Sequence, residues 1–256
     1  MAKSDSAEVV NGFNENVGDV VKLMNFDRDL LDVAIQSVTA LHERLKKLEH
    51  FENPQLTAEK TLQQLKGFRT NDSLRPRYAT IFNQALVLLV SYFGSSIHDL
   101  FVLAGSRALS TDEKIGLFDE EFKFSVGQLR DMNFEVRDAV PEMLIASRDI
   151  SFQDMQSIRR AFDKYMGIAI GKDIDVNNII LGQACRHVIV HAGGLVSEKM
   201  IRQVQNATPR AVKTDLALGT QMQFAEDEIL VIAESMKSYV VALAKKIDVK
   251  HKVDSV

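Results

Sequence analysis

Residues 78–109 read YATIFNQALVLLVSYFGSSIHDLFVLAGSRAL. Apolar side chains occupy most of the helical wheel over this stretch, with Ser91, Ser95, His98 and Asp99 as its polar exceptions. A helix that is apolar all round belongs at the centre of a protein rather than on its surface. The chain has 256 residues, 46% hydrophobic and 26% charged, enough for one large domain or a domain with an appended bundle. Only 13 glycines and 4 prolines punctuate it, which favours long helices over a turn-rich β architecture. The expected fold class is therefore all-α, a helical bundle built around residues 78–109.

On the N-terminal side, Leu30, Ala34, Val38, Leu41, Leu45 and Leu48 recur at spacings of three and four and predict an amphipathic helix from Asp27 to His50. Asn53-Pro54 stops it. A shorter helix is expected from Thr57 to Phe68, and a turn from Thr70 to Pro76. Residues 1–25 are polar and weakly patterned and are expected to be a flexible tail. Residues 26–74 form an additional N-terminal helical segment that packs on the bundle or meets a partner. On the C-terminal side, Thr111 to Lys114 has the composition of a capped helix start, and Leu117 to Phe134 is mixed in period. Ser151 to Asp154 opens a helix ending at Met166. The last helix, Ala225 to Ile247, carries Ile229, Ala233, Met236, Val240, Leu243 and Ile247 as an intramolecular core stripe. The main domain thus covers residues 75–247, with a polar tail at 248–256.

The chemistry-bearing stretch is CRHVIVHAGG, residues 185–194, at the end of an apolar segment starting near Asn177. Wound as a helix with Arg186 at zero, Gln183 falls at about 60°, His187 at about 100° and His191 at about 140°. Leu181, Cys185, Val188 and Ile189 lie opposite and form the buried face. The helix presents one polar stripe of Gln183, Arg186, His187 and His191, and Gly193-Gly194 ends it in the left-handed manner. A guanidinium holds two phosphate oxygens in a fork and stabilises the charge of a pentacovalent transition state. A near-neutral imidazole takes a proton from a ribose 2'-hydroxyl or gives one to the leaving 5'-oxygen. The same residues also admit simpler readings. Cationic side chains near a helix C-terminus complement its dipole by roughly 0.3 to 1 kcal/mol each. His187-x3-His191 has the spacing of a zinc-binding pair, but position 188 is valine instead of the glutamate of His-Glu-x-x-His, and no third ligand stands nearby.

Arg186-His187-x-x-x-His191 resembles the Arg-x4-6-His signature of the HEPN superfamily, in which the residue after the arginine is commonly Asn, Asp or His. Ala192-Gly193-Gly194, with a helical segment from Ser197 to Gln205 behind it, is similar to the stretch C-terminal to the motif in bacterial RiboL-PSP-HEPN-type domains, and Tyr78 to Leu109 resembles their long first helix. The resemblance spans residues 75–247, with the six-residue motif as its specific part. It implies a HEPN-type helical bundle that forms a homodimer through the motif helix. It also implies metal-independent RNA cleavage by 2'-hydroxyl attack, in a defence or toxin–antitoxin setting. Arg186 would bind and polarise the scissile phosphate, His191 would be the general acid or base, and His187 would assist by orientation or phosphate contact. The alternative within the resemblance is a catalytically silent interaction module that binds a protein partner or a nucleotide.

The net charge of -4 makes any RNA site a local basic patch. The candidates are Arg159, Arg160 and Lys164 together with Arg202, Arg210 and Lys213. RNA and a protein antitoxin or regulator are the expected partners, with no membrane partner and no cofactor or metal. The single cysteine, Cys185, excludes an intrachain disulfide and reads as core packing. Met1 to Asn16 lacks the basic-then-apolar pattern of a signal peptide, and the apolar run Ala85 to Val90 is far shorter than the ~20 residues that span a bilayer, so the cytoplasm is the expected compartment. His98 and Asp99 are expected either to reach the motif helix and orient His191 or to be satisfied within the core. No internal repeat, glycine-rich phosphate loop, Ser-His-Asp order or acidic metal cluster occurs in the sequence.

Overall fold

Phe93, Ile97, Leu100 and Phe101 are wholly buried, and the helix that carries them is the one around which the others assemble. The computed structural model describes residues 5–47, 54–70, 75–110 and 115–251. Among these it contains nine α-helices: α1 (Ser6–Leu45), α2 (Pro54–Thr70), α3 (Arg75–Ala108), α4 (Val126–Asp131), α5 (Val140–Ser147), α6 (Met155–Met166), α7 (Ile174–His191), α8 (Glu198–Val204) and α9 (Glu226–Lys250). The only β pairing among the described residues is an isolated antiparallel bridge between Leu195 and Gln221. The protein is an all-α bundle. Helix α3 packs against α1, α5, α6, α7 and α9, the neighbours that its apolar circumference requires. By length and composition Ala79–Ala108 is able to cross a membrane; here it is the central helix.

The terminal helix follows its pattern. Ile229, Ala233, Met236, Val240, Leu243 and Ile247 of α9 are all buried, and Glu228 accepts the Ala225 N–H at 2.9 Å to start the helix. Helix α6 begins three residues later than expected, because Asp154 rather than Ser151 caps it by accepting the Ser157 N–H at 2.8 Å. It ends at Gly167, whose φ of 62° suits a residue without a Cβ. The expected turn at Thr70 to Pro76 and the cap at Thr111 to Lys114 fall largely or wholly outside the described residues, as does most of the polar tail. Residues 248–250 of that tail are the last of α9.

The first 25 residues depart most from expectation. Residues 6–25 do not form a tail: they are the first half of α1, continuous across the predicted boundary at residue 26. Val9, Phe13, Val17, Val20 and Met24 are buried, with the Phe13 ring edge-on to Phe93 of α3 at 6.3 Å. The end is fastened by charge: Ser6 donates to Asp248 at 2.7 Å, and Arg107 binds both Asp248 and Asp5. The second half of α1 is the helix expected over 27–50, ending at Leu45, and it pairs with α2. Leu30 and Leu41 of its apolar stripe are more than half exposed, as are Phe26 and Val33.

Candidate functional site

Helix α7 starts when Asp173 accepts the Val176 N–H at 2.8 Å and is held laterally by two asparagines. Asn177 donates to the Pro209 carbonyl at 2.8 Å, and Asn178 bridges Ser235 of α9 and the Ala211 N–H, each at 3.0 Å. These bonds tie the irregular segment after α8 to α7. Cys185 is fully buried, 3.8 Å from the Met222 sulfur, and burial pushes its thiol far above the ordinary range, so it is packing and not a nucleophile. The helix ends as its glycines predict, with Gly193 and Gly194 at φ of 61° and 77°, and the Gly194 N–H returns to the Val188 carbonyl at 3.0 Å.

The polar stripe is divided. His187 and His191 are exposed, one turn apart, with ring centroids 5.1 Å from each other. Arg186 is half-buried, its Nε enclosed and without a hydrogen-bond partner among the described residues. Gln183 turns inward instead of joining them: its Oε1 accepts the Met155 N–H at the start of α6 at 2.9 Å. That backbone donor has no earlier helical carbonyl to bond, which is why a polar side chain is pulled under the helix. Desolvation lowers the His187 pKa, and the positive charges of Lys199, His191 and Arg186 lower it further. The neutral imidazole is therefore favoured at pH 7.

His98 does not reach this helix. It hydrogen-bonds Asp99 at 3.3 Å and Glu142 at 3.2 Å, edge-on to Phe152, and it is half-buried rather than in the core. The Asp99 hydrogen bond, aided by Glu142, raises its pKa against the opposing effect of burial. Below the ordinary imidazole value of about 6.5, folded and unfolded chains are both protonated and the pairing contributes fully; the contribution is lost as pH climbs through the raised value. The stability difference between the parent and His98→Ala, measured by urea unfolding, is expected to be larger at about pH 5.5 than at about pH 8.5. A difference that stays constant or grows with pH contradicts this pairing.

The six proposed basic residues separate in the fold. Lys164 bonds Glu120 and Tyr165. Lys213 pairs with Glu228 at 2.7 Å. Arg210 is spent on the carbonyls of Val204, Ala207, Lys213 and Thr214. Arg160 lies exposed on α6. Arg159 and Arg202 converge, on opposite walls of a groove of about 470 Å³ between α6, α7 and α8, and Lys172, Gln183 and His187 line it with them. Lys172 carries no signal in the sequence, because it stands alone in a loop, and its role depends only on the approach of that loop to α8.

Comparison of the chain with family models, curated proteins and solved structures finds no match. The functional reading therefore rests on this geometry and on the motif. Among the described residues no group of three or more His, Cys, Asp or Glu is placed to hold a metal ion.

Proposed function

We propose that the protein is a metal-independent endoribonuclease that acts through Arg186, His187 and His191. The observation that carries this reading is the pair of exposed imidazoles 5.1 Å apart, beside an arginine whose buried Nε has no hydrogen-bond partner among the described residues.

Arg186 holds the scissile phosphate and stabilises the charge that develops on it. The neutral imidazole of His187 accepts the 2'-hydroxyl proton as the 2'-oxygen bonds to phosphorus, and protonated His191 delivers a proton to the 5'-oxygen as the P–O5' bond breaks. The products are a 2',3'-cyclic phosphate and a 5'-hydroxyl, with protons balanced and no water consumed. A two-fold dimer would present a second copy of the same helix end. Val190 and Leu195, 46% and 48% exposed at that end, supply apolar surface for it. The Arg-x4-His resemblance suggests a defence or toxin–antitoxin role for this activity.

The test is incubation of the purified protein in EDTA with a mixed pool of structured and single-stranded RNA, with the product ends then identified. Cyclic phosphates from RNA, with DNA and 2'-O-methyl RNA left intact, are expected. A folded dimer that cuts no RNA would turn the reading to the silent interaction module.

A further inference from the structure

The groove beside α7 has features that the cleavage chemistry does not use. Arg159 from α6, Lys172 from the α6–α7 loop and Arg202 from α8 face one cavity that contains a single carboxylate, Asp154, and that carboxylate is engaged in capping α6. A local excess of two positive charges thus stands on a chain whose net charge is -4. Such clustering costs repulsion and is characteristic of an anion site. Arg202 makes no hydrogen bond or ion pair within the described residues. Arg159 commits only its Nε, to the Ile170 carbonyl at 3.0 Å, and Lys172 commits one ammonium proton, to the Asn206 carbonyl, which leaves the terminal nitrogens of Arg159 and the other two protons of Lys172 for a ligand.

The wall between these cations carries a second, independent mark. Gln183 is 8% exposed, and its Nε2 is enclosed without a partner while its Oε1 is bound to Met155. A buried amide donor left unpaired is destabilising and is relieved by an acceptor on the groove side. Ile180 and Ala184 form an apolar strip beside it, suited to the face of a sugar or base. The volume lies within the roughly 300–1,000 Å³ of small-ligand clefts. His187 belongs both to this groove and to the imidazole pair, so the two sites are continuous.

We infer that the groove binds the phosphodiester backbone of a single-stranded RNA next to the bond that is cut, with phosphate oxygens on Arg159, Lys172 and Arg202 and one nucleoside against Ile180 and Ala184. This deepens the nuclease reading and depends on it for the word "substrate", but not for binding itself. The groove is a positioning site: it fixes which internucleotide bond reaches His187 and His191.

Binding of an uncleavable 2'-O-methyl oligonucleotide, read by fluorescence anisotropy across a salt series, tests the assignment apart from catalysis. Arg202→Ala and Arg202→Glu remove no contact that holds the fold, and circular dichroism checks this. Each is expected to weaken binding about tenfold or more and to reduce the salt slope by roughly 0.7 for the lost phosphate contact. KM for cleavage of the matching RNA rises in parallel. Parental affinity and slope in both variants overturn the assignment, and so does an oligonucleotide bound no more tightly than inorganic phosphate or a mononucleotide. Oligonucleotide binding that is sensitive to Arg202, without any cleavage, upholds the groove and rejects the nuclease. Cleavage with KM unchanged in both variants does the reverse.

Discussion

His191→Ala is expected to lower the rate of RNA cleavage by about 10²- to 10⁴-fold, the usual worth of a positioned general acid or base. His191 is the last residue of α7 and is exposed, so truncating its ring opens no cavity. The loss should therefore appear in turnover with little change in the unfolding midpoint. If the residue only complemented the helix dipole, the variant would lose roughly 0.3 to 1 kcal/mol of stability and cut RNA at the parental rate; that result would sink the catalytic assignment. Arg186→Lys makes the complementary point. It keeps the charge but not the two-pronged hold on a phosphate, so cleavage should fall in this variant as well.

Phe13→Ala is expected to destabilise the whole bundle by about 3–5 kcal/mol, the range for emptying a buried phenylalanine site. The side chain is 1% exposed and meets Phe93, which in turn contacts Tyr239 of α9. The void would therefore open among three helices and could not collapse from one side. Against a typical stability of roughly 5–15 kcal/mol, the variant would unfold at markedly lower urea concentration and in one transition with the parent's slope. An unchanged midpoint would mean that residues 6–24 are dispensable, as a tail would be.

The helices that place the site are legible because their apolar residues repeat without interruption. Tyr78 to Leu109 and the stripe from Ile229 to Ile247 are examples, as is the buried face of Leu181, Cys185 and Val188. The first helix is not legible in this way, although Val9, Phe13, Val17, Val20 and Met24 keep spacings of four, four, three and four. Gly12, Gly18 and the polar run Asn14-Glu15-Asn16 between them mask the period. A strong pattern has its limit too: the spacing of Leu30 and Leu41 marks the helix, but it says only that a face is apolar and not what covers it. The divided stripe on α7 is beyond reach for another reason. The wheel places Gln183 correctly, but only the approach of the unpaired Met155 N–H decides that it turns inward. Likewise nothing local links Arg159, Lys172 and Arg202; they meet because α6, α7 and α8 fold back on one another.

The fastening of Ser6 and Asp5 to Arg107 and Asp248 has a consequence for the order in which the molecule is made. Helix α1 is completed by α9, which leaves the ribosome more than 200 residues later. At about 5–20 residues per second that interval is roughly 10 to 50 s. Helix α1 can settle on α3 in the meantime, but the side that faces α9 stays open. Until α9 is made, α1 carries an apolar stripe without its full cover, which makes the nascent polypeptide, rather than the finished bundle, the form most in need of a chaperone.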